Sequence, residues 1–261
     1  MKNTLISALK AAGDIHLQYF DKPLKITEKE SISSVVTEVD IKSEKKIIEI
    51  IQSDFPNHNI LSEECGFIDQ KSNYSWIIDP IDGTSNYAAG IPWFGVLIAL
   101  MENEKPVLGG AYLPVQDQLY FAELGKGATL NEAPIHVTQS PLKDCLFTFA
   151  TDCTDDQKLL NKGLEIYQYI VMHSRNMRVT NSLLDFLFVA EGKTGGCINL
   201  FTKIWDIAPV ELILSEADGL FANLSSEELI FKVDENAMHK NYSVIATTEK
   251  IFGEFWPLLK G

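Results

Sequence analysis

The first twenty residues place Leu5, Leu9, Ala12, Ile15 and Tyr19 at helical spacing, with Lys10 and Asp14 between them. That pattern predicts an amphipathic surface helix. Residues 21–34 are polar and predict a loop. Val35-Val36-Thr37-Glu38-Val39-Asp40 then leads into a second helix, from about residue 41 to 52. Its apolar positions Ile41, Ile47, Ile48 and Ile51 form one stripe, and Pro56 ends it. Residues 59–62 predict a short strand that delivers Glu63 and Glu64 at its end, and residues 74–78 predict the next. Residues 94–101 are continuously apolar, the pattern of a strand buried on both faces. Residues 107–113 and 118–123 read as a meander turning at Pro114-Val115-Gln116-Asp117, with a further turn at Gly125-Lys126-Gly127. This half is helix, helix, then mostly antiparallel strands.

The second half alternates. Strands are expected at residues 146–150, 177–179, 196–199 and 242–246, and helices at 155–172, 182–191, 204–218 and 249–259. Helices alternating with short strands predict a second α/β layer. A shift in composition at residues 140–144 separates a half spanning 1–140 from one spanning 141–261. The two are expected to share an interface within one compact unit.

Composition narrows the possibilities. The chain has 261 residues, 46% of them hydrophobic, which is ample for a buried core. It carries 36 acidic against 22 basic residues, a formal charge of −14, so it will not bind a nucleic-acid backbone through overall charge, and no nucleic-acid partner is expected. A small polyanionic substrate must be attracted locally, and bound cations are the obvious means. Cys65, Cys145, Cys153 and Cys197 form no CxxC pair and no zinc spacing, which fits reduced thiols in a cytoplasmic protein. The first helix lacks a secretory h-region, and the longest apolar run is far short of a membrane span, so no membrane partner is expected. The glycosylation-like triplets at Asn73, Asn223 and Asn241 are then chance matches.

The richest chemistry lies in Trp76-Ile77-Ile78-Asp79-Pro80-Ile81-Asp82-Gly83-Thr84-Ser85-Asn86-Tyr87, running on to Gly90-Ile91-Pro92. An apolar strand ends near a proline, which has no N–H to continue a ladder. Two carboxylates follow three positions apart, and Asp82 sits where an N-cap is favoured, ahead of Gly83 and Thr84. The N–H groups of Gly83 and Thr84 would point toward an anion there, and the Ile81 carbonyl offers an oxygen of the kind Mg²⁺ accepts. Isolated Asp-Pro and Asp-Gly pairs are usually ordinary turns.

The whole run, with Trp76, Thr84, Asn86, Gly90 and Pro92, resembles the first signature of the inositol monophosphatase family of Mg²⁺-dependent phosphatases. Three further segments resemble that family in order. Leu61-Ser62-Glu63-Glu64 is similar to its short motif with a metal-binding glutamate, carried over to Glu63. Val36-Thr37-Glu38-Val39-Asp40 is similar to its VTxxD segment, which implies that Asp40 orients the attacking water and also allows it to be a helix N-cap. Trp205-Asp206-Ile207-Ala208-Pro209, with Glu211 and Glu216-Ala217-Asp218-Gly219, resembles its second signature and implies Asp206 as a metal ligand.

The resemblance spans about residues 40–219 and implies a five-layered αβαβα sandwich, an α/β (α+β) fold, commonly a homodimer. It implies two or three Mg²⁺ ions held by Glu63, Asp79, the Ile81 carbonyl, Asp82 and Asp206. Glu63, Asp40 and Thr84 would act on the attacking water, and Asp82, Gly83, Thr84 and Asp206 would face the substrate. Four acids gathered without cations would repel strongly, so the empty site is expected to be loose or partly protonated. The reaction implied is hydrolysis of a small phosphate ester by metal-activated water, with no phospho-enzyme.

The chain departs from the family on the alcohol side of the substrate. A Gly-Ser-Ala-like segment that contacts substrate reads here Thr180-Asn181-Ser182, and the first change adds a side chain where backbone usually approaches the ligand. A glutamate that binds a sugar hydroxyl is replaced by Asn199. These positions keep 3′,5′-bisphosphate nucleotidase, histidinol-phosphatase and fructose-1,6-bisphosphatase as rival activities. A regulatory binding protein on the same fold is a further alternative, since some bacterial relatives are linked to transcription complexes. Other motifs fail. Gly192-Lys193-Thr194 lacks the earlier glycine of a Walker A loop, no GxSxG elbow occurs, and the five histidines are scattered, so none is expected to be a ligand or base.

Overall fold

The computed structural model describes residues 1–23, 26–28, 35–151, 156–224 and 229–259, without the side chains of 26–28, 35 and 255–259. The chain opens with α1 (Lys2–Tyr19), an antiparallel pair β1 (Ile26–Glu28) and β2 (Val35–Thr37), and α2 (Glu38–Asp54). It continues through β3 (Asn59–Ser62), β4 (Gly66–Ile68), β5 (Tyr74–Asp82), the short α3 (Thr84–Ala88), β6 (Gly95–Glu102), β7 (Lys105–Leu113), β8 (Gln118–Glu123), β9 (Ala128–Leu130) and β10 (Ala133–Pro134). Strands β3 to β10 form one eight-stranded sheet in the order β10-β9-β8-β7-β6-β5-β3-β4, in which β3 and β5 run parallel and the other neighbours antiparallel.

The rest comprises β11 (Leu146–Ala150), α4 (Gln157–His173), β12 (Asn176–Arg178), α5 (Leu184–Ala190), β13 (Gly196–Thr202), α6 (Ile204–Ser215), β14 (Leu220–Asn223), β15 (Tyr242–Thr247) and α7 (Glu249–Leu259). Its sheet is mixed, in the order β12-β11-β13-β15-β14.

The layers follow from the two-residue period of strand side chains. In β5 and β6, Trp76, Ile78, Val96, Ile98 and Leu100 face α1 and α2, where they meet Leu5, Leu9, Ile47 and Ile51. The alternate residues Ile77, Leu97, Ala99 and Met101 face Ile207, Val210 and Ile213 of α6. Beyond α5 and α6 lies the second sheet. Its Cys197, Val244 and Ala246 point inward, while Phe147, Phe149, Ile198 and Leu200 face Ile166 and Ile170 of α4 and Ile251 of α7. The order is helices, sheet, helices, sheet, helices, the five-layered sandwich. Nine of the twelve residues of α6 are buried, because a helix between two sheets must be apolar all round. Gly109 and Gly110 of β7 let the helical layers close from both sides. A Cβ would lie 2.5 Å from the Pro209 carbonyl oxygen at the first and 2.5 Å from Leu5 Cδ2 at the second.

Several boundaries differ from expectation. The loop predicted at 21–34 contains β1, while residues 24–25 and 29–34 lie outside the described set. So do the predicted start of the fourth helix at Asp155, and Cys153 and Ser225. Ile41 does not join the α2 stripe and is 51% exposed, because the cap places it on the solvent side of the first turn. The helices expected at 182–191 and 204–218 are shorter. The strand expected to end at residue 78 runs to Asp82, since β6 goes on pairing with it across a register shift between Asp79 and Asp82.

Candidate metal and phosphate site

The site is built on that irregularity. Asp79 is the last regular partner, opposite Leu97, and pairing resumes with Asp82 opposite Gly95. Pro80 donates nothing to the ladder, so Pro80 and Ile81 bulge and bring both aspartates to one end of the strand. The bulge is tied inside by the Ile81 N–H, which donates to Asp79 Oδ1 at 3.0 Å. From outside, His16 Nε2 on α1 lies 2.9 Å from the Pro80 carbonyl oxygen. A carbonyl only accepts, so Nε2 carries the proton. His16 is fully buried.

Asp82 does not cap the helix that follows. Gly83 holds the N-cap position with φ 83°, where a Cβ would also lie 2.6 Å from the Trp93 carbonyl oxygen. Asp82 Oδ1 instead accepts the Leu183 N–H at 2.5 Å, across 101 residues. Since α3 has five residues, its dipole adds little for an anion at Gly83 and Thr84.

Asp40 and Asp206 are set by the same local device. Asp40 is the third residue of α2, and its Oδ2 accepts the Thr37 N–H at 2.8 Å and the Thr37 hydroxyl at 2.6 Å. Thr37, not Asp40, is the N-cap, because its hydroxyl accepts the Val39 N–H. Asp206 is the third residue of α6, and its Oδ2 accepts the Lys203 N–H at 2.7 Å and the Thr202 hydroxyl at 2.6 Å. In both cases the carboxylate is locked to a threonine and to a backbone donor at a helix start. Asp40 Oδ1 lies 3.1 Å from Thr84 Oγ1, which is also 2.8 Å from the Ile81 carbonyl oxygen.

Asp79, Asp82 and Asp206 each present a carboxylate oxygen within 4.8 Å of the others. Glu63 is not in that group, but its charge acts on both Asp79 and Asp82, and its N–H donates to the Ile78 carbonyl of β5 at 3.2 Å. Burial first, then Glu63, Asp82 and Asp206, holds the Asp79 carboxyl well above the usual carboxylate range. Asp82 is raised by desolvation and then by Asp206, against the opposing Leu183 N–H. The donors are all hard oxygens and the charges acting on them are mainly negative, the setting that a divalent cation such as Mg²⁺ fits.

On the substrate side, the Thr180 carbonyl accepts from Asn86 Nδ2 at 3.1 Å, which joins that segment to α3. Asn181 has φ 50°, and the Thr180 and Ser182 hydroxyls lie 3.3 Å apart. Asn199 is spent locally, with Oδ1 accepting the Phe201 N–H at 3.0 Å. Asp185, missed in the sequence, is 1% exposed beneath this segment, its carboxyl pushed up to about 6 by burial against opposing donors at Thr180, Ser182, Asn181 and Thr148. Among the described residues neither Asp185 carboxylate oxygen has a hydrogen-bond partner.

A five-layered sandwich in which two aspartates at a strand bulge meet a third at a helix start defines a class of metal-binding fold rather than one protein. The sequence model of the inositol monophosphatase family matches residues 1–257, and the chain belongs to that family. It is 31% identical over 263 residues to Nus factor SuhB of Haemophilus influenzae, covering 97% of this chain and 93% of that one. It is 35% identical over 221 residues to the fructose-1,6-bisphosphatase/inositol-1-monophosphatase of Aquifex aeolicus, covering 83% and 82%. The crystal structure of extragenic suppressor protein suhB from Bartonella henselae superposes with a TM-score of 0.88 at 28% identity, covering 99% of this chain and 98% of that one.

Proposed function

We propose that the protein is a Mg²⁺-dependent phosphomonoesterase acting on a small, inositol-phosphate-like ester. The convergence of Asp79, Asp82 and Asp206 within 4.8 Å carries this reading. Bound Mg²⁺ would supply Lewis-acid neutralisation of the phosphate and a water of lowered pKa. Glu63 and Asp79 would hold one ion, and Asp79, Asp82 and Asp206 a second, with the Ile81 carbonyl as an extra oxygen ligand and a third, weaker ion near Glu63. The Thr84 hydroxyl has one proton and two acceptors. If the Ile81 carbonyl served as a ligand, that proton would go to Asp40 Oδ1 and the Thr84 oxygen would be left to accept from the attacking water. Asp82, Gly83, Thr84 and Asp206 would face the phosphate, and Thr180, Asn181, Ser182 and Asn199 the alcohol.

The test is phosphate release, with Mg²⁺ and with chelator, from inositol 1-phosphate, fructose 1,6-bisphosphate, a 3′,5′-bisphosphate nucleotide and histidinol phosphate. Release from the first that is dependent on Mg²⁺ and exceeds the others supports the reading. Faster release from the nucleotide replaces the substrate, and no release from any ester refutes catalysis.

A regulatory role is the second reading, favoured by the Nus factor name of a relative. That name also weighs against the expectation of no nucleic-acid contact, while the net charge of −14 supports contact through a protein partner instead. An Asp82→Asn variant that loses turnover and keeps its cellular role would favour it. A cytoplasmic homodimer completes the proposal. Among the described residues no helix is long and apolar enough to cross a membrane, and α4 exposes Leu164, Tyr167 and Val171 along one face, which self-association would cover.

A further inference from the structure

Glu44 lies on α2 four residues after Asp40, so the two carboxylates share one helix face. It is 6% exposed. Its Oε1 accepts three hydrogen bonds, from the Ser62 hydroxyl at 2.5 Å, the Glu64 N–H at 3.1 Å and the Cys65 N–H at 2.9 Å. These donors bracket Glu63 on both sides in the chain. Glu63's own N–H is held by the Ile78 carbonyl of β5. The turn carrying Glu63 is thus fixed at every peptide, by α2 on one side and by β5 on the other.

We propose that Glu44 is a positioning residue for the Glu63 turn, keeping Glu63 close enough to the Asp79–Asp82 bulge for a cation to be shared. This rests on the reading of Glu63 as a metal ligand. The electrostatics explain why such a clamp is needed. Glu63 stands on a short turn, its charge acting on Asp79 and Asp82, and like-charge repulsion drives an unrestrained turn outward. A further negative charge at Glu44 worsens the repulsion, so its gain is geometric: charge-assisted bonds to backbone N–H groups are stronger than neutral ones. The same helix face carries Asp40 to Thr84. One rigid element therefore indexes the Glu63 turn and the Thr84 turn against each other, and neither depends on the flexibility of its own loop.

The experiment measures Mg²⁺ affinity by calorimetry, together with kcat at saturating Mg²⁺, for wild type, Glu44→Ala, Glu63→Gln and the double variant. Loss of an outer partner of a metal ligand typically weakens binding about 10- to 100-fold, and Glu44→Ala is expected in that range with kcat within about threefold of wild type. The double variant should bind no more weakly than Glu63→Gln alone, since Glu44 acts through Glu63. Ser62→Ala removes one of the three bonds without removing the buried charge and should weaken Mg²⁺ about fivefold; it stands in if Glu44→Ala does not fold. Wild-type affinity in folded Glu44→Ala or in Ser62→Ala overturns the proposal, as do additive losses in the double variant. If Glu63→Gln itself binds Mg²⁺ normally, the ligand assignment of Glu63 has failed, and the clamp with it.

Discussion

Thr84 Oγ1 stands 3.1 Å from Asp40 Oδ1, a contact that crosses 44 residues and joins the turn after β5 to the first turn of α2. Asp40 is fully buried and its other oxygen is already committed to Thr37, so Oδ1 is the oxygen left facing the turn. Asp40 Oδ1 is an oriented acceptor for the single proton of the Thr84 hydroxyl, which leaves the Thr84 oxygen to accept from a water.

Thr84→Ala is therefore expected to lower kcat by about 10²-fold, the scale of losing a positioned proton acceptor, while Thr84→Ser keeps most of it. Asp40→Asn should lose turnover similarly and also cost about 1 kcal/mol of stability, because its carboxylate completes the α2 cap. Steady-state kinetics at saturating Mg²⁺, alongside thermal unfolding, separate the two effects. Full activity in Thr84→Ala would remove the hydroxyl from the mechanism.

Asp206→Asn should lose turnover by several orders of magnitude and yet fold, because an amide oxygen can still accept from Thr202 and Lys203. The metal-free variant should melt higher than metal-free wild type, since one charge acting on Asp79 and Asp82 is gone. The rise in melting temperature on adding Mg²⁺ should shrink sharply, because ligand stabilisation follows affinity. A metal-free variant that melts lower, with an undiminished Mg²⁺ response, would mean that Asp206 is structural.

What could be seen in the chain depended on how local the cause was. The Asp79–Asp82 run, the Glu63 turn and the Asp206 helix start each sit in a short segment whose residues dictate their own turn or cap. The unbroken apolar run at residues 94–101 and the apolar-rich stretch 204–218 likewise give a buried strand and a buried helix, the helix ending earlier than expected, at Ser215. The bulge was not legible, because whether β5 stops at residue 78 or runs to Asp82 is decided by β6. Asp82 looked like a local cap, and its partner lies 101 residues away. Glu44 resembles any solvated acid one turn along a helix, until the fold places the Glu63 turn over it. Strands β4, β9, β10 and β14 are two to four residues long and owe their existence to the neighbours they pair with.

Packing across β7 gives a prediction independent of the chemistry. Gly109→Ala drives a methyl group into the backbone of α6 at Pro209, and Gly110→Ala into Leu5 of α1. The first meets a carbonyl that cannot rotate away, while the second meets the far end of a flexible side chain. Overpacking of this kind costs about 1–3 kcal/mol, with Gly109→Ala toward the upper end and Gly110→Ala toward the lower. Urea unfolding of both variants tests the order, and the reverse order would contradict the rigid seating of α6 on the sheet.

His16 sets a pH signature for the metal-free protein. Burial lowers its pKa from 6.5 to about 4, opposed by the Pro80 carbonyl. The folded state thus holds neutral imidazole, and the unfolded state binds the proton more readily. This contribution is complete above the unfolded pKa and is lost as pH falls from 6.5 toward about 4. The loss amounts to about 2 kcal/mol between about pH 7.5 and about pH 5. Asp79 and Asp82 act in the opposite sense: their raised pKa values make the metal-free fold gain stability as pH falls. The two effects oppose each other in wild type, so it should lose less on acidification than His16 alone would cost. His16→Leu removes the first effect and keeps the second. It should start lower at neutral pH, because the Pro80 carbonyl loses its donor, and then shift toward greater stability on acidification relative to wild type. Urea midpoints of chelator-treated protein at the two pH values decide the matter, and parallel shifts in wild type and variant would show that His16 does not titrate between the folded and unfolded states.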